Sequence, residues 1–293
     1  MKQQTQTDTV NLKALVGKIT SRWYLFAICL PLALGIAYLY MRFTPKVYEV
    51  KASILIDDKS KTTSDQDRLM RSMGMFGPKT QLKDEVELLT SYRYVKQVID
   101  RLGMRVSYFS VDDYKTVEEF GDFPFRIKLD TTKAQMINTP IYIKRRSKDL
   151  YEIQVDGKKV EVYDLLADRE LEELPKVEIR TVQKVNRPYN SEGLNFSIEF
   201  AKNPTLYDKD EYFFVINILG QQANNYRASL KVTPIDDKNS SVIQISSRGT
   251  VVEKEEKVVN TLLEVYLANE VQKRNEEGSR TIQFIDDQLG IVS

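Results

Sequence analysis

Histidine is absent from this 293-residue chain, and cysteine occurs once, at Cys29. Without histidine the chain lacks the commonest general base, the commonest zinc ligand and the physiological pH switch. One cysteine permits no intramolecular disulfide and no cysteine-rich metal site. A surplus of charge is missing too: 43 Lys and Arg against 42 Asp and Glu leave +1, so no overall field draws in nucleic acid. Glycine and proline are sparse, at 12 and 9, and the composition as a whole excludes a collagen-like repeat and a disordered tail. Long apolar runs are missing with one exception, so the chain is not a polytopic membrane protein. What remains, 42% apolar and 29% charged, is the composition of a globular protein of one large or two modest domains.

The exception runs from Trp23 to Met41 without a charged residue, 19 residues (41 − 23 + 1) closed by Arg22 and Arg42. As a helix it is about 28 Å long, close to the roughly 30 Å hydrocarbon core of a bilayer. Trp23 and Tyr24 at one end, and Tyr38 and Tyr40 near the other, stand where an aromatic belt belongs. Pro31 and Gly35 are tolerable in a membrane helix and costly in a soluble one. A cleaved signal peptide is disfavoured because Met41-Arg42-Phe43-Thr44 offers no small-residue cleavage site. A lipoprotein anchor is disfavoured because Phe26-Ala27-Ile28 precedes Cys29, which lies mid-run. Trp23 and Met41 are therefore read as the boundaries of a transmembrane helix. The 22 residues before it carry Lys2, Lys13, Lys18 and Arg22 against Asp8, and Val10, Leu12, Leu15, Val16 and Ile19 form a small amphipathic stretch. Arg42, Lys46 and Lys51 follow the span, so basic residues flank both ends; the short tail ahead of a large domain favours a cytoplasmic N-terminus.

Residues 42–293 read as α+β. The run 47–57 is a strand leaving the membrane, and 58–79 is a loop. Within that loop Gly74-Met75-Phe76-Gly77-Pro78-Lys79-Thr80 only faintly echoes a phosphate-binding loop, since the glycine spacing is wrong and Pro78 lacks an N–H. Leu82, Val86, Leu89, Tyr92, Val95, Val98, Ile99 and Leu102 recur every three or four residues and predict one helix that Gly103 stops. Residues 104–250 read as mainly β, with strands expected at 125–129, 141–144, 151–155, 160–162, 177–182, 195–200, 212–219, 228–232 and 242–246. Asp156-Gly157 between alternating runs predicts a tight hairpin. From Thr250 the spacing returns to helical: Val252, Val259, Leu262, Leu263, Tyr266, Leu267 and Val271 form one face, Gly278-Ser279 interrupts, and Ile282, Ile285, Leu289 and Val292 resume it. An apolar stripe running to the last residues is expected of a helix that continues as part of a longer protein.

Nothing in the sequence assembles an active site, and no catalytic, cofactor-binding or metal-ligating residue is assigned. The acidic pairs Asp57-Asp58, Asp112-Asp113, Asp236-Asp237 and Asp286-Asp287 lack the glycine-spaced frame of a calcium loop. Lys144, Arg145, Arg146 and Lys148 form a basic cluster, read as a solvated edge or hairpin tip, with contact to an anionic sugar as the sharper alternative. The aromatic residues are scattered at strand and helix positions and read as packing.

The order of elements resembles the polysaccharide co-polymerases, which include chain-length determinant proteins and the tyrosine autokinases of capsule and exopolysaccharide export. The resemblance rests on a short tail, one apolar helix, VYEVKASILIDD, DEVELLTSYRYVKQVIDRLG and the return helix KVVNTLLEVYLANEVQKRNEEGSRTIQFIDDQL. RVSYF and DFPFRI are similar to the longer members of the group. It implies an inner-membrane anchor over 23–41 with a cytoplasmic tail at 1–22. It also implies a periplasmic α+β domain with a β-rich insertion over 42–250, and the start of a coiled coil over 251–293. It further implies a homo-oligomeric, non-catalytic scaffold that sets the length or export of a polysaccharide. The implied partners are the polymerase, the nascent lipid-linked glycan, membrane lipid and an outer-membrane export component. Neither the second membrane helix of that family nor the kinase branch's phosphate-binding loop and tyrosine cluster is in this sequence, so no kinase role is carried onto any residue. A periplasmic sensor domain and a periplasmic export adaptor stand as alternatives; β-rich sequence before the terminal helix favours the co-polymerase.

Overall fold

The computed structural model describes residues 23–56, 78–112, 115–191, 193–201, 209, 211–235 and 242–292. The tail 1–22, most of the expected loop 58–79 and the acidic pairs at 57–58 and 236–237 lie outside them. The chain divides into two compact units, Met1–Lys46 and Val47–Ser293.

In the first unit, α1 (Trp23–Phe43) is one helix of 21 residues with Pro31 inside it. It extends two residues past Met41 and closes with the Thr44 hydroxyl donating to the Tyr40 carbonyl at 2.7 Å. Its described side chains are all exposed. Among the described residues no helix is long and apolar enough to cross a membrane.

The second unit contains two hydrophobic cores. The first lies against a three-stranded antiparallel sheet of β1 (Tyr48–Leu55), β13 (Val242–Gly249) and β12 (Lys231–Pro234), with β13 in the middle. Alternation places Val50, Ala52 and Ile54 inward on β1 and Ile243 and Ile245 inward on β13. Helices α2 (Pro78–Leu89), α3 (Tyr92–Arg101), α4 (Leu219–Ser229) and α5 (Val252–Val292) supply the rest. Val95, Val98 and Ile99 of α3 and Val258, Val259, Leu262, Val265 and Tyr266 of α5 are buried there.

The second core is β-rich. A seven-stranded sheet runs β3 (Lys115–Glu119), β2 (Val106–Asp112), β11 (Glu211–Ile216), β6 (Ile141–Arg145), β7 (Leu150–Asp164) and β5 (Gln135–Met136), with β8 (Arg169–Lys184) also paired to β7. A second sheet holds β4 (Phe125–Leu129), β10 (Leu194–Phe200) and β9 (Tyr189–Ser191). Phe125, Phe196 and Phe214 meet edge to face in this core at centroid distances of 5.3 to 6.5 Å, the geometry that ring quadrupoles favour. Tyr151 is wholly buried among them, its hydroxyl has no hydrogen-bond partner among the described residues, and burial pushes its pKa up to about 12. The cores meet at Asn217, whose Nδ2 donates to the Met104 carbonyl at 3.2 Å and to Ser107 Oγ at 2.8 Å.

Among the described residues every strand pairing is antiparallel, so the α+β expectation holds and the long terminal helix is present. Four details are corrected. The helix expected over 82–102 is two helices, broken at Thr90–Ser91, where Ser91 Oγ accepts from Tyr94 N and caps α3. Its stop is as expected: Gly103 has φ +67°, which an L side chain adopts reluctantly. The Asp156-Gly157 hairpin does not form, because β7 runs unbroken with Gly157 opposite Val177. The burial alternation does change phase between Val155 and Val160, but through Lys159 at φ +53° inside the strand. The turn comes at Leu165–Asp168, where Asp164 Oδ1 accepts from the Leu166 and Ala167 amides. The strand expected over 228–232 begins only at Lys231, because Leu219, Ala223 and Tyr226 bury one face of a helix. Gly278 does not interrupt α5, which is continuous for 41 residues.

Candidate functional site

The basic cluster lies at the β6–β7 hairpin tip, as its first reading expected. Lys144 and Arg145 end β6, and the Arg146 and Ser147 amides donate to the Leu150 carbonyl at 3.0 and 3.1 Å, closing the turn. The register then supplies two residues that the sequence did not single out. Glu152 on β7 pairs with Lys144 on one side and with Val182 of β8 on the other. Arg180 lies two positions from Val182, so it shares a face with Glu152 as a diagonal neighbour.

Glu152 is 7% exposed and holds two guanidinium groups. Arg146 Nε donates to its Oε2 at 2.6 Å, with Arg146 Nη2 also against that oxygen, and Arg180 Nε donates to Oε1 at 2.8 Å. The hydrogen bonds from Arg180 and Arg146 hold the Glu152 carboxyl below the usual carboxylate range, despite its desolvation. Only knowledge of the β7–β8 register could have joined Arg180 to this cluster, since 28 residues separate it from Glu152.

A cleft of about 570 Å³ opens over this face, bounded by β6, β7, β8 and the start of β11. Its lining carries Lys144, Arg145, Arg146, Arg180 and Lys209 against Glu152 and Glu211, a balance of +3 (5 − 2). Lys209 Nζ is 2.8 Å from Asp112 Oδ2, and the Arg145 guanidinium lies 5.2 Å from the Phe200 ring centroid. Tyr142 on the floor lies 5.0 Å from Phe213, which stacks on Phe109 at 4.9 Å and 9°. This face of the sheet thus carries an aromatic row beside a charged rim.

A second polar cluster ties α5 to its core. Glu255 is 3% exposed and accepts from the Ser247 and Tyr226 hydroxyls. Gly249 leaves room for it, since a Cβ there would clash with Glu255 Oε1. Burial, with Glu255 and Glu118 nearby, pushes the Tyr226 phenol far above its usual range. Lys254, 8% exposed, pairs with Glu118 at 2.5 Å, and Tyr266 donates to Glu85 Oε2 at 3.0 Å. Every one of these groups is satisfied within the fold, which makes the cluster a fastening of helix to sheet.

Trp23 opens α1 and Met41 stands in its last turn, 69% and 74% exposed, and Cys29 is exposed between them. Among the described residues no three His, Cys, Asp or Glu side chains gather to hold a metal. Asp286 and Asp287 are exposed on α5. On α5 the expected apolar face is buried only in part: Leu267 and Val271 are 53% and 58% exposed.

Residues 8–102 match the family described as Wzz, chain length determinant protein. The whole chain is similar to the tyrosine-protein kinase ptk of Acinetobacter johnsonii, 23% identical over 299 residues, which covers 99% of this chain and 39% of that protein. It is also similar to the tyrosine-protein kinase wzc of Salmonella typhimurium, 21% identical over 294 residues, covering 97% and 37%. The chain thus spans about two fifths of the length of these curated relatives. These matches bear out the resemblance read from the sequence: residues 8–102 are similar to the chain length determinant family, and the whole chain is similar to two tyrosine-protein kinases.

Proposed function

We propose that this chain is a non-catalytic scaffold that regulates the chain length or export of a capsular, exo- or O-antigen polysaccharide. The observation that carries this reading is the chain length determinant match over residues 8–102. The kinase activity named for the relatives belongs to those longer proteins.

In this reading residues 1–22 are a cytoplasmic tail, 23–41 cross the inner membrane, 42–250 form the periplasmic domain and 251–293 open a coiled coil. The membrane assignment is supported by the uncharged run from Trp23 to Met41, folded as one helix with large apolar side chains outward. Leu30, Leu32 and Leu34 are each more than 60% exposed, and exposed leucines in such number call for an apolar surrounding. The chain acts as a homo-oligomer on the polymerase and the nascent lipid-linked glycan, with an outer-membrane export component as a further partner. No cofactor takes part.

Two experiments test this reading. Deletion of the gene followed by gel sizing of the surface polysaccharide is expected to change its length distribution or amount; an unchanged profile overturns the proposal. Protease treatment of spheroplasts is expected to remove residues beyond 42 and protect the tail. Protection of the large domain overturns the assigned topology.

A further inference from the structure

The cleft over β6, β7 and β8 has no task in the scaffold reading, and its chemistry is that of a ligand site. The geometry points to a binding site for a carboxylate-bearing saccharide unit, such as a uronic acid within a longer glycan. This inference rests on the polysaccharide reading above and adds the place of contact and the charge of the sugar.

A volume of about 570 Å³ lies within the range of small-molecule sites. Arg180 commits only its Nε to Glu152, so among the described residues both of its terminal nitrogens remain available as donors. Lys144 is exposed and has no hydrogen-bond or ion-pair partner among the described residues. Glu152 fixes two guanidinium planes in advance, which lowers the ordering cost of binding. A planar guanidinium fork matches a planar carboxylate better than a point charge does.

Beside these donors lies an apolar surface of the right kind. The Tyr142 ring is held by Phe213, which is held in turn by Phe109. The ring face is electron-rich, and the axial C–H groups of a pyranose are its electropositive counterpart. A rigid aromatic floor with cations on one rim recognises a sugar that carries negative charge. A site for phosphate alone would have no use for the floor.

The test uses the full chain purified in detergent and titrated with an oligoglucuronate, followed by the fluorescence or NMR signals of the aromatic residues. Binding is expected, with competition by sodium chloride and little effect from a neutral oligoglucose. Arg180→Ala is expected to weaken it about tenfold or more, as loss of a hydrogen bond to a charged group does. Tyr142→Ala is expected to weaken it as well, whereas Lys133→Ala on a different strand connection leaves it unchanged. Far-ultraviolet circular dichroism confirms that each variant is folded. Equal binding of inorganic phosphate or of anionic lipid vesicles overturns the assignment in favour of a general anion site. Loss of oligomer in Arg180→Ala without change in saccharide binding overturns it in favour of a contact between copies. Absence of binding, while gene deletion still alters polysaccharide length, overturns this site and leaves the scaffold reading in place.

Discussion

The two cores of the second unit draw on the chain in different ways. The core beneath α5 gathers β1, α2 and α3 from before residue 102 and α4, β12, β13 and α5 from after residue 218. The β-rich core lies between them in sequence, from Phe123 to Ile216, and is built largely from neighbouring hairpins. The first core closes only when the two ends of the unit meet, so its contacts carry long loop-closure costs. The second closes mostly within itself. The family match ends at residue 102 and covers only the first segment of the first core, while the cleft and its cations all belong to the second. One core joins distant parts of the chain, and the other is a nearly continuous stretch that carries the charged cleft.

Several experiments separate these roles, starting with the largest effects. Leu262→Ala in the first core and Ile153→Ala in the second each remove a fully buried side chain and are expected to lower stability by about 2–5 kcal/mol. Amide exchange distinguishes them: the former accelerates β1 and β13 more than β7, the latter the reverse. Equal acceleration everywhere would show one cooperative core. Asn217→Ala leaves the Met104 carbonyl and Ser107 without their partner at the seam, at a cost of about 1–3 kcal/mol in chemical denaturation. It also widens the difference between the two cores in exchange rate. Ser91→Ala removes the α3 cap and costs about 1 kcal/mol, confined to the first core.

The pH response belongs to the second core. Glu152 has a folded pKa below its ordinary value of 4.5, so its contribution is fully present above that value and is lost as pH falls through the folded pKa. Melting of the wild type is expected to weaken more between pH 5 and pH 3 (an acid range set about the ordinary carboxylate values) than melting of Glu152→Gln. Equal acid sensitivity would deny the carboxylate a role. The smallest effect is at Leu267, 53% exposed on α5: its replacement by Ala is expected to change stability by no more than about 0.5 kcal/mol. This places the edge of the first core one residue after Tyr266.

The first core was the more legible in sequence, because helical spacing and alternation are local signals. Val95, Val98 and Ile99 announced α3, and the alternating run 47–57 announced β1. The break at Ser91 was missed because the apolar rhythm carries across it, and the only signal is a cap residue that also reads as surface. Helix α4 was missed although Leu219, Ala223 and Tyr226 lie at spacings of four and three; Val215-Ile216 ahead of them and the Asn pair within them pulled the reading toward strand and loop. In the second core the false hairpin at Gly157 shows the limit of local patterning. A change of phase in the alternation looks the same whether the chain turns back or flips one residue at positive φ. For the cleft, the basic residues at 144–148 were visible, but Glu152, Arg180 and Tyr142 become neighbours only through strand register.

The long terminal helix has a mechanical consequence. At about 1.5 Å per residue, its 41 residues extend roughly 60 Å, and the root from Val252 to Tyr266 accounts for only about 22 Å of that. A rigid rod held at one end is a lever. A 1 Å displacement across the root is multiplied about threefold at the far tip, so small repacking around Val258, Leu262 and Tyr266 becomes a movement large enough for another molecule to feel.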